Sequence, residues 1–179
     1  MNRFHYAMHV VLGHEGGVVN DPDDRGGLTN AGVTTKTYNA YRRRLWLPLR
    51  PVTDIEPHEV EAIYHEYWHD AHCDRLPDGL DLVVFDMAIN SGPSVAIKTL
   101  QKILGVDVDG IFGPQTNAAI REEILVGGLA ELIEQYIAAR ADFYHALVAK
   151  DRAQKKFIGG WVARLGHLRV VVAWQGGAQ

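Results

Sequence analysis

The sequence predicts a mainly α-helical protein with one small β-hairpin after its first helix. Three observations carry this. Apolar residues recur at helical spacing, as in Phe4, Ala7, Met8, Val11 and Leu12, which fall at i, i+3, i+4, i+7 and i+8. Pro48, Pro51, Pro57, Pro93 and the pair Gly127–Gly128 punctuate these stretches. Only the run GGVVNDPDDRGGLTNAG, with five glycines, one proline and three aspartates, abandons the helical pattern.

The first helix ends at Gly13, which places Glu15 at or just past its end. Beyond it, short strands at Gly17–Val19 and Leu28–Thr29 are expected, with a turn through Asp21–Gly27. Thr34 suits the N-cap of a helix running to about Arg44, because its hydroxyl can accept a first-turn N–H. Pro48 and Pro51 mark a loop, and Pro57 fits the first position of the next helix. That helix carries the stripe Val60, Ile63, Tyr64, Tyr67 and Trp68. Leu80–Asn90 is apolar nearly all round and reads as the central buried helix, within which Asp86 needs a partner. Pro93 opens a helix to Leu104, closed by Gly105. A turn-rich loop, Val106–Pro114, precedes a helix to about Leu125. A long amphipathic helix spans Leu129–Ala149. The last helix runs from about Gln154 to Trp174, its apolar side formed by Phe157, Trp161, Leu165 and Leu168, with Lys155, Lys156, Arg164 and Arg169 as a basic outer face.

A chain of 179 residues, 47% hydrophobic and 22% charged, has enough apolar material for a core. Its net charge of -4 argues against non-specific nucleic-acid binding. The charge is uneven: Asp54–Asp81 holds nine acids and one base, a net of -8, whereas Arg140–Gln179 holds seven bases and two acids, a net of +5. Opposite solvated helix faces account for this. A functional reading adds contact of the basic C-terminal helix with an anionic membrane. The single cysteine, Cys73, allows no intrachain disulfide, which suits a reducing compartment. The N-terminal apolar stretch is broken by His9, is too short to span a bilayer and lacks an A-x-A cleavage pattern.

Two carboxylates stand in contrasting surroundings. Glu15 follows an apolar stripe, and partial burial there would keep it protonated near neutral pH. Asp24 lies in a polar turn where a carboxylate stays ionised, and Thr29 offers a hydroxyl five residues later. Such a pair suits glycoside hydrolysis, which needs an acid for the leaving oxygen and a second carboxylate for the sugar or water. On residue types alone a structural acidic turn remains an alternative. A Ca²⁺ loop fits less well, because Asp21, Asp23 and Asp24 lack the EF-hand spacing.

The run HEGGVVNDPDDRGGLTNAGVT, His14–Thr34, resembles the signature of glycoside hydrolase family 108, close to E-G-G-x-V-N-D-P-x-D-x-G-G-x-T-x-x-G-I-T. Every fixed position matches except that Val33 replaces the usual Ile. The order Glu, Asp, Thr is also similar to that of the phage lysozymes. The resemblance continues through Ile63–Pro77, FDMAINSGP (Phe85–Pro93), LQKILGVDVDGIFGPQT (Leu100–Thr116) and Lys155–Leu165. It implies a lysozyme-like fold in which residues 1–92 form the catalytic part. Residues 93–179 would form a helical part with a peptidoglycan-binding-like element, packed with the first as one globular unit. It further implies cleavage of the β-1,4 bond between N-acetylmuramic acid and N-acetylglucosamine, with no cofactor or metal. By position, Glu15 becomes the general acid, Asp24 the second carboxylate and Thr29 the polar helper. Asn90, Ser91 and Gln101 become substrate-binding candidates.

The expected setting is a monomeric phage endolysin, made in the cytoplasm without a signal peptide and acting on periplasmic peptidoglycan after release by a holin or secretion machine. Rival readings are a lytic transglycosylase or chitosanase on the same scaffold, and a non-catalytic wall-binding module. His65, His69, His72 and Cys73 cluster over about two helical turns, with an i, i+4 pair able to chelate zinc. A solvated acidic face is the simpler reading of them. Tyr64, Tyr67 and Trp68 could stack on sugars, although their spacing favours core packing.

Overall fold

The structure, a computed structural model, describes residues 2–13 and 28–176. Glu15, Asp24, the expected strand Gly17–Val19 and the turn Asp21–Gly27 lie outside the described residues. In chain order come α1 (Arg3–Leu12), β1 (Thr29–Asn30), β2 (Val33–Thr34), α2 (Thr35–Arg44), α3 (Pro57–Asp70), α4 (Leu80–Ser91), α5 (Pro93–Ile103), α6 (Pro114–Val126), α7 (Leu129–Lys150) and α8 (Ile158–Gly176). Short 3-10 turns occur at Val52–Asp54, Cys73–Arg75 and Arg152–Phe157. The chain groups into two compact units, residues 1–67 and 68–179, so α3 contributes to both. Among the described residues no helix is long and apolar enough to cross a membrane.

In the first unit, Asn2 caps α1 by accepting the His5 N–H at 2.9 Å, and Phe4, Ala7 and Val11 form its buried stripe. The described hairpin joins residues 29–30 to residues 33–34; the expected pairing with Gly17–Val19 lies outside the described residues. Thr29 pairs with Thr34 and Asn30 with Val33, antiparallel. Ala31 and Gly32 both take positive φ, 48° and 72°, the two-residue turn whose twist matches that of hairpin strands. Thr34 then caps α2 as expected, accepting the Thr37 N–H at 3.1 Å.

A charged knot fixes the end of α2 to the start of α3. Glu59, buried, accepts from Arg42 and Arg50 at 2.6 Å each, from Tyr38 at 2.7 Å and from the Glu56 N–H at 3.0 Å. Arg42 also donates to the Pro48 carbonyl, tethering the loop after α2. The middle of that loop is nonetheless in solvent, with Trp46 94% exposed at φ 58°.

In the second unit the centre is α4, whose residues Leu80–Ala88 are all buried. Trp68 packs edge-on against Phe85 at 5.2 Å and donates to Asp74. From α7 come the buried residues Leu132, Ile133, Tyr136, Ile137, Arg140 and Tyr144. The Tyr136 hydroxyl reaches the Ala96 carbonyl of α5 at 3.1 Å. Prolines open α5 and α6, and Gly128 at φ 87° separates α6 from α7, as the punctuation indicates. The last helix begins later than expected. Asp151 accepts the Ala153 N–H and starts a 3-10 turn, so Lys155 and Lys156 precede α8. Arg164 is a correction to the expected basic outer face: it turns inward onto Asp86.

The Glu59 knot predicts an acid-sensitive stability. Burial alone would raise the Glu59 pKa, but the Glu56 N–H, the Tyr38 hydroxyl and Arg50 hold it down at about 2, from an ordinary 4.5. A depressed carboxylate stabilises the fold fully above its unfolded pKa and ceases to do so as pH falls through the folded one. The melting temperature should therefore drop between pH 4.5 and about 2. Glu59→Gln should melt lower at pH 6 and show a flatter acid limb; thermal melts across that range check this.

Candidate functional site

The hairpin presents Thr29, half-buried, at the start of β1. Two-residue strands have little hold of their own, and side chains supply it. The Tyr64 hydroxyl donates to the Ala31 carbonyl at 2.9 Å, gripping the turn. Asn30 Nδ2 donates to the Val52 and Thr53 carbonyls at 3.4 and 3.3 Å. The Thr35 N–H and hydroxyl both donate to the Leu28 carbonyl at 3.0 Å. Tyr64 and Trp68 are accordingly core residues, and Tyr67 is half-buried.

Asn90 and Ser91 end α4, with Asn90 exposed and Ser91 half-buried. Gly92, at φ 93°, turns the chain directly into α5. Behind Asn90 lies a polar relay. Asp86 and Arg140 are both fully buried and meet at 2.5 Å. Arg164 Nε is 2.9 Å from each Asp86 oxygen. Burial would raise the Asp86 pKa, but Arg140 and Arg164 hold it below the ordinary carboxylate range. Arg140 Nε donates to the Tyr144 hydroxyl at 2.8 Å, and that hydroxyl donates to Asn90 Oδ1 at 2.8 Å. Ser91 donates to the same oxygen at 3.1 Å. Sequence reading found Asp86 and its need for a partner but missed Arg140, Arg164 and Tyr144. The available signal was Arg140 standing at a core-facing position of α7, one turn before Tyr144.

Gln101 is 1% exposed and braces the loop before α6. Its Nε2 donates to Asp109 Oδ1 at 2.7 Å, the Ile111 carbonyl at 3.1 Å and Thr116 Oγ1 at 3.3 Å. Its Oε1 accepts the Gly110 N–H at 2.8 Å. The loop so held exposes Val108 and Ile111. Gly110 takes a left-handed φ of 81°, which suits glycine, and a Cβ there would press on Ser94 Oγ at 2.8 Å.

On and after α3, the His69 and His72 rings lie 6.4 Å apart, and each imidazole or thiol has its own surroundings. His65 is exposed with its ring against the edge of Phe4, His69 is exposed beside Asp70, His72 stacks on Phe112 at 5.1 Å, and Cys73 is buried. Among the described residues no three His, Cys, Asp or Glu side chains group as metal ligands.

Known proteins resemble the chain in both sequence and structure. The glycosyl hydrolase 108 family profile matches residues 8–92, and a profile described as "Predicted Peptidoglycan domain" matches residues 95–166. The structure of Brucella abortus SagA superposes with a TM-score of 0.80 at 34% identity, covering 95% of this chain and 93% of that one. No curated protein sequence matches the chain significantly.

Replacing Gln101 by leucine keeps its bulk and removes every loop contact. Asp109, Gly110 and Thr116 lose their shared partner. Urea denaturation should show a loss of about 1–3 kcal/mol, the cost of leaving buried polar groups unmet, with an unchanged slope.

Proposed function

The chain belongs to the glycosyl hydrolase 108 family, and on that premise we propose that Glu15 is its general acid, Asp24 its second carboxylate and Thr29 the polar helper. As a member it is a glycoside hydrolase acting on peptidoglycan, an N-acetylmuramidase. The observation that carries the residue assignment is the unbroken Glu15–Thr34 motif. The anchoring of the hairpin that bears Thr29 supports it.

In the proposed reaction Glu15 gives its proton to the glycosidic oxygen as the bond from that oxygen to the anomeric carbon breaks. Asp24, ionised at the outset, balances the positive charge that develops on the sugar. It takes a proton from the attacking water, which the Thr29 hydroxyl holds. The water oxygen bonds to the anomeric carbon, so one glycosidic bond and one water become two free ends; Asp24 then releases its proton to solvent and Glu15 takes one back.

Residues 1–92 carry the catalysis in this reading, and 93–179 engage the wall. Asn90 and Ser91 contact the glycan directly, and Gln101 acts through the loop it braces. The setting is a monomeric phage endolysin, made in the cytoplasm and released to the periplasm by a holin or secretion machine. Any membrane contact would fall to Lys155 and Lys156, which are exposed, because Arg164 is occupied with Asp86.

Glu15→Gln keeps the side chain's size and removes its titrating proton. Lysis of permeabilised Gram-negative cells, followed by turbidity, should fall at least about 10²-fold, the lower range for a general acid. Equal lysis by the variant would remove Glu15 from the role. Reducing-end muramic acid among the wild-type products supports hydrolysis; anhydro ends would replace it with transglycosylation.

A further inference from the structure

We propose that Tyr144 is a positioning residue that locks the Asn90 amide with its NH₂ group outward, and that this group reads the acetamido carbonyl of the amino sugars in the glycan. The inference rests on the reading of the chain as a peptidoglycan hydrolase and adds a specificity contact to it.

A side-chain amide has two nearly isosteric faces, a carbonyl acceptor and an NH₂ donor, and alone it can turn either way. Here the choice is forced from the core outward. A guanidinium only donates. Arg140 Nε donates to the Tyr144 oxygen at 2.8 Å, so the hydroxyl proton points away from Arg140. It lies toward Asn90, 2.8 Å distant, where only an acceptor satisfies it. Oδ1 therefore faces inward. Ser91, donating to the same Oδ1 at 3.1 Å, reinforces the choice.

The relay has little freedom to swing. Arg140 is held by Asp86 at 2.5 Å, and Asp86 is held in turn by Arg164. The Tyr144 ring stacks on Trp161 at 4.8 Å, and Trp161 stacks on Phe157 at 5.8 Å. At the far end Asn90 is exposed, and its Nδ2 has no protein partner among the described residues. Asp86, Arg140, Tyr144 and Arg164, from three helices, thus fix the direction of one exposed amide.

The locked amide offers only donors. A sugar hydroxyl both donates and accepts and would be served by either face, so the lock confers nothing on it. An acetamido carbonyl only accepts, and the lock selects for it. Both sugars of the glycan carry that group.

Soluble glycan strands, intact or chemically de-N-acetylated, provide the test, with wild type, Tyr144→Phe and Asn90→Asp compared by steady-state kinetics. Wild type should favour the intact strands. Tyr144→Phe retains the ring stack and frees the amide. KM on intact strands should rise about 3–10-fold, the worth of one neutral hydrogen bond, with kcat moving far less. Asn90→Asp keeps the Tyr144 bond and turns an acceptor outward. Its preference should shift toward the de-N-acetylated strands, whose ammonium groups it attracts.

If Tyr144→Phe fails to fold, Asn90→Asp at its exposed position decides alone, and an unshifted preference there overturns the proposal. So does a Tyr144→Phe enzyme whose KM rises equally on both strands or whose loss lies in kcat. Wild type that cleaves neither strand overturns the hydrolase reading itself, and this inference with it.

Discussion

A single carboxylate inside an apolar helix organises the second unit. Of the nine consecutive buried residues of α4, two are acids, and each is satisfied differently. Asp81 lies in the first turn, where unpaired backbone N–H groups are at hand, and accepts those of Gly79 and Leu82. Asp86 lies mid-helix, where every backbone N–H is already used. Its charge must be met by side chains from elsewhere, and Arg140 of α7 and Arg164 of α8 meet it. Removing one member of a buried pair costs about 3–5 kcal/mol, because the remaining charge has no solvent to turn to. Arg140 is the more exposed to that penalty: it is wholly buried, and its Nη2 has no hydrogen-bond partner among the described residues. The spacing of three helices is therefore set by one ion cluster as well as by apolar packing.

The first unit uses the same device at its own scale. Glu59 gathers Arg42, Arg50 and Tyr38, and through Arg42 it holds the backbone at Pro48. Elsewhere in that unit single polar pins do the holding. A tyrosine hydroxyl and an asparagine amide steady a hairpin of two-residue strands. Where a region has too few apolar side chains to bury, directional bonds fix its conformation.

Most helix boundaries were legible because they are set locally. Pro57, Pro93 and Pro114 open helices where a missing N–H costs nothing, and Thr34 caps α2 with its own hydroxyl. The hairpin was less legible. Its turn uses Ala31 in a left-handed conformation, which alanine seldom adopts and which no Asn-Gly pair announced. Of the proposed site, Glu15, Asp24 and Thr29 rest on residue type and motif, and the end of α4 at Asn90–Ser91 follows from where its apolar run stops. The relay behind Asn90 could not, because its members come from three helices and Tyr144 is 54 positions away. Arg164 misled for the same reason: a cation on a terminal helix reads as surface until the buried anion it serves is known.

Asp86, a buried acid, offers a useful contrast to Glu15. An acid that protonates a glycosidic oxygen near neutral pH needs a raised pKa, and apolar surroundings are the usual sequence clue. By that clue alone Asp86 is the better candidate, since its helix is more apolar than the stripe before Glu15. Yet Arg140 and Arg164 overcome the effect of burial and hold Asp86 ionised. Glu59 is kept low by N–H, hydroxyl and guanidinium donors, and Asp109 by the Ile111 N–H and Gln101. All three are structural anions, however deep they lie. Burial therefore does not make a catalytic acid unless cations and donors stay away. What distinguishes Glu15 in the sequence is its place before two glycines in a motif shared with a hydrolase family.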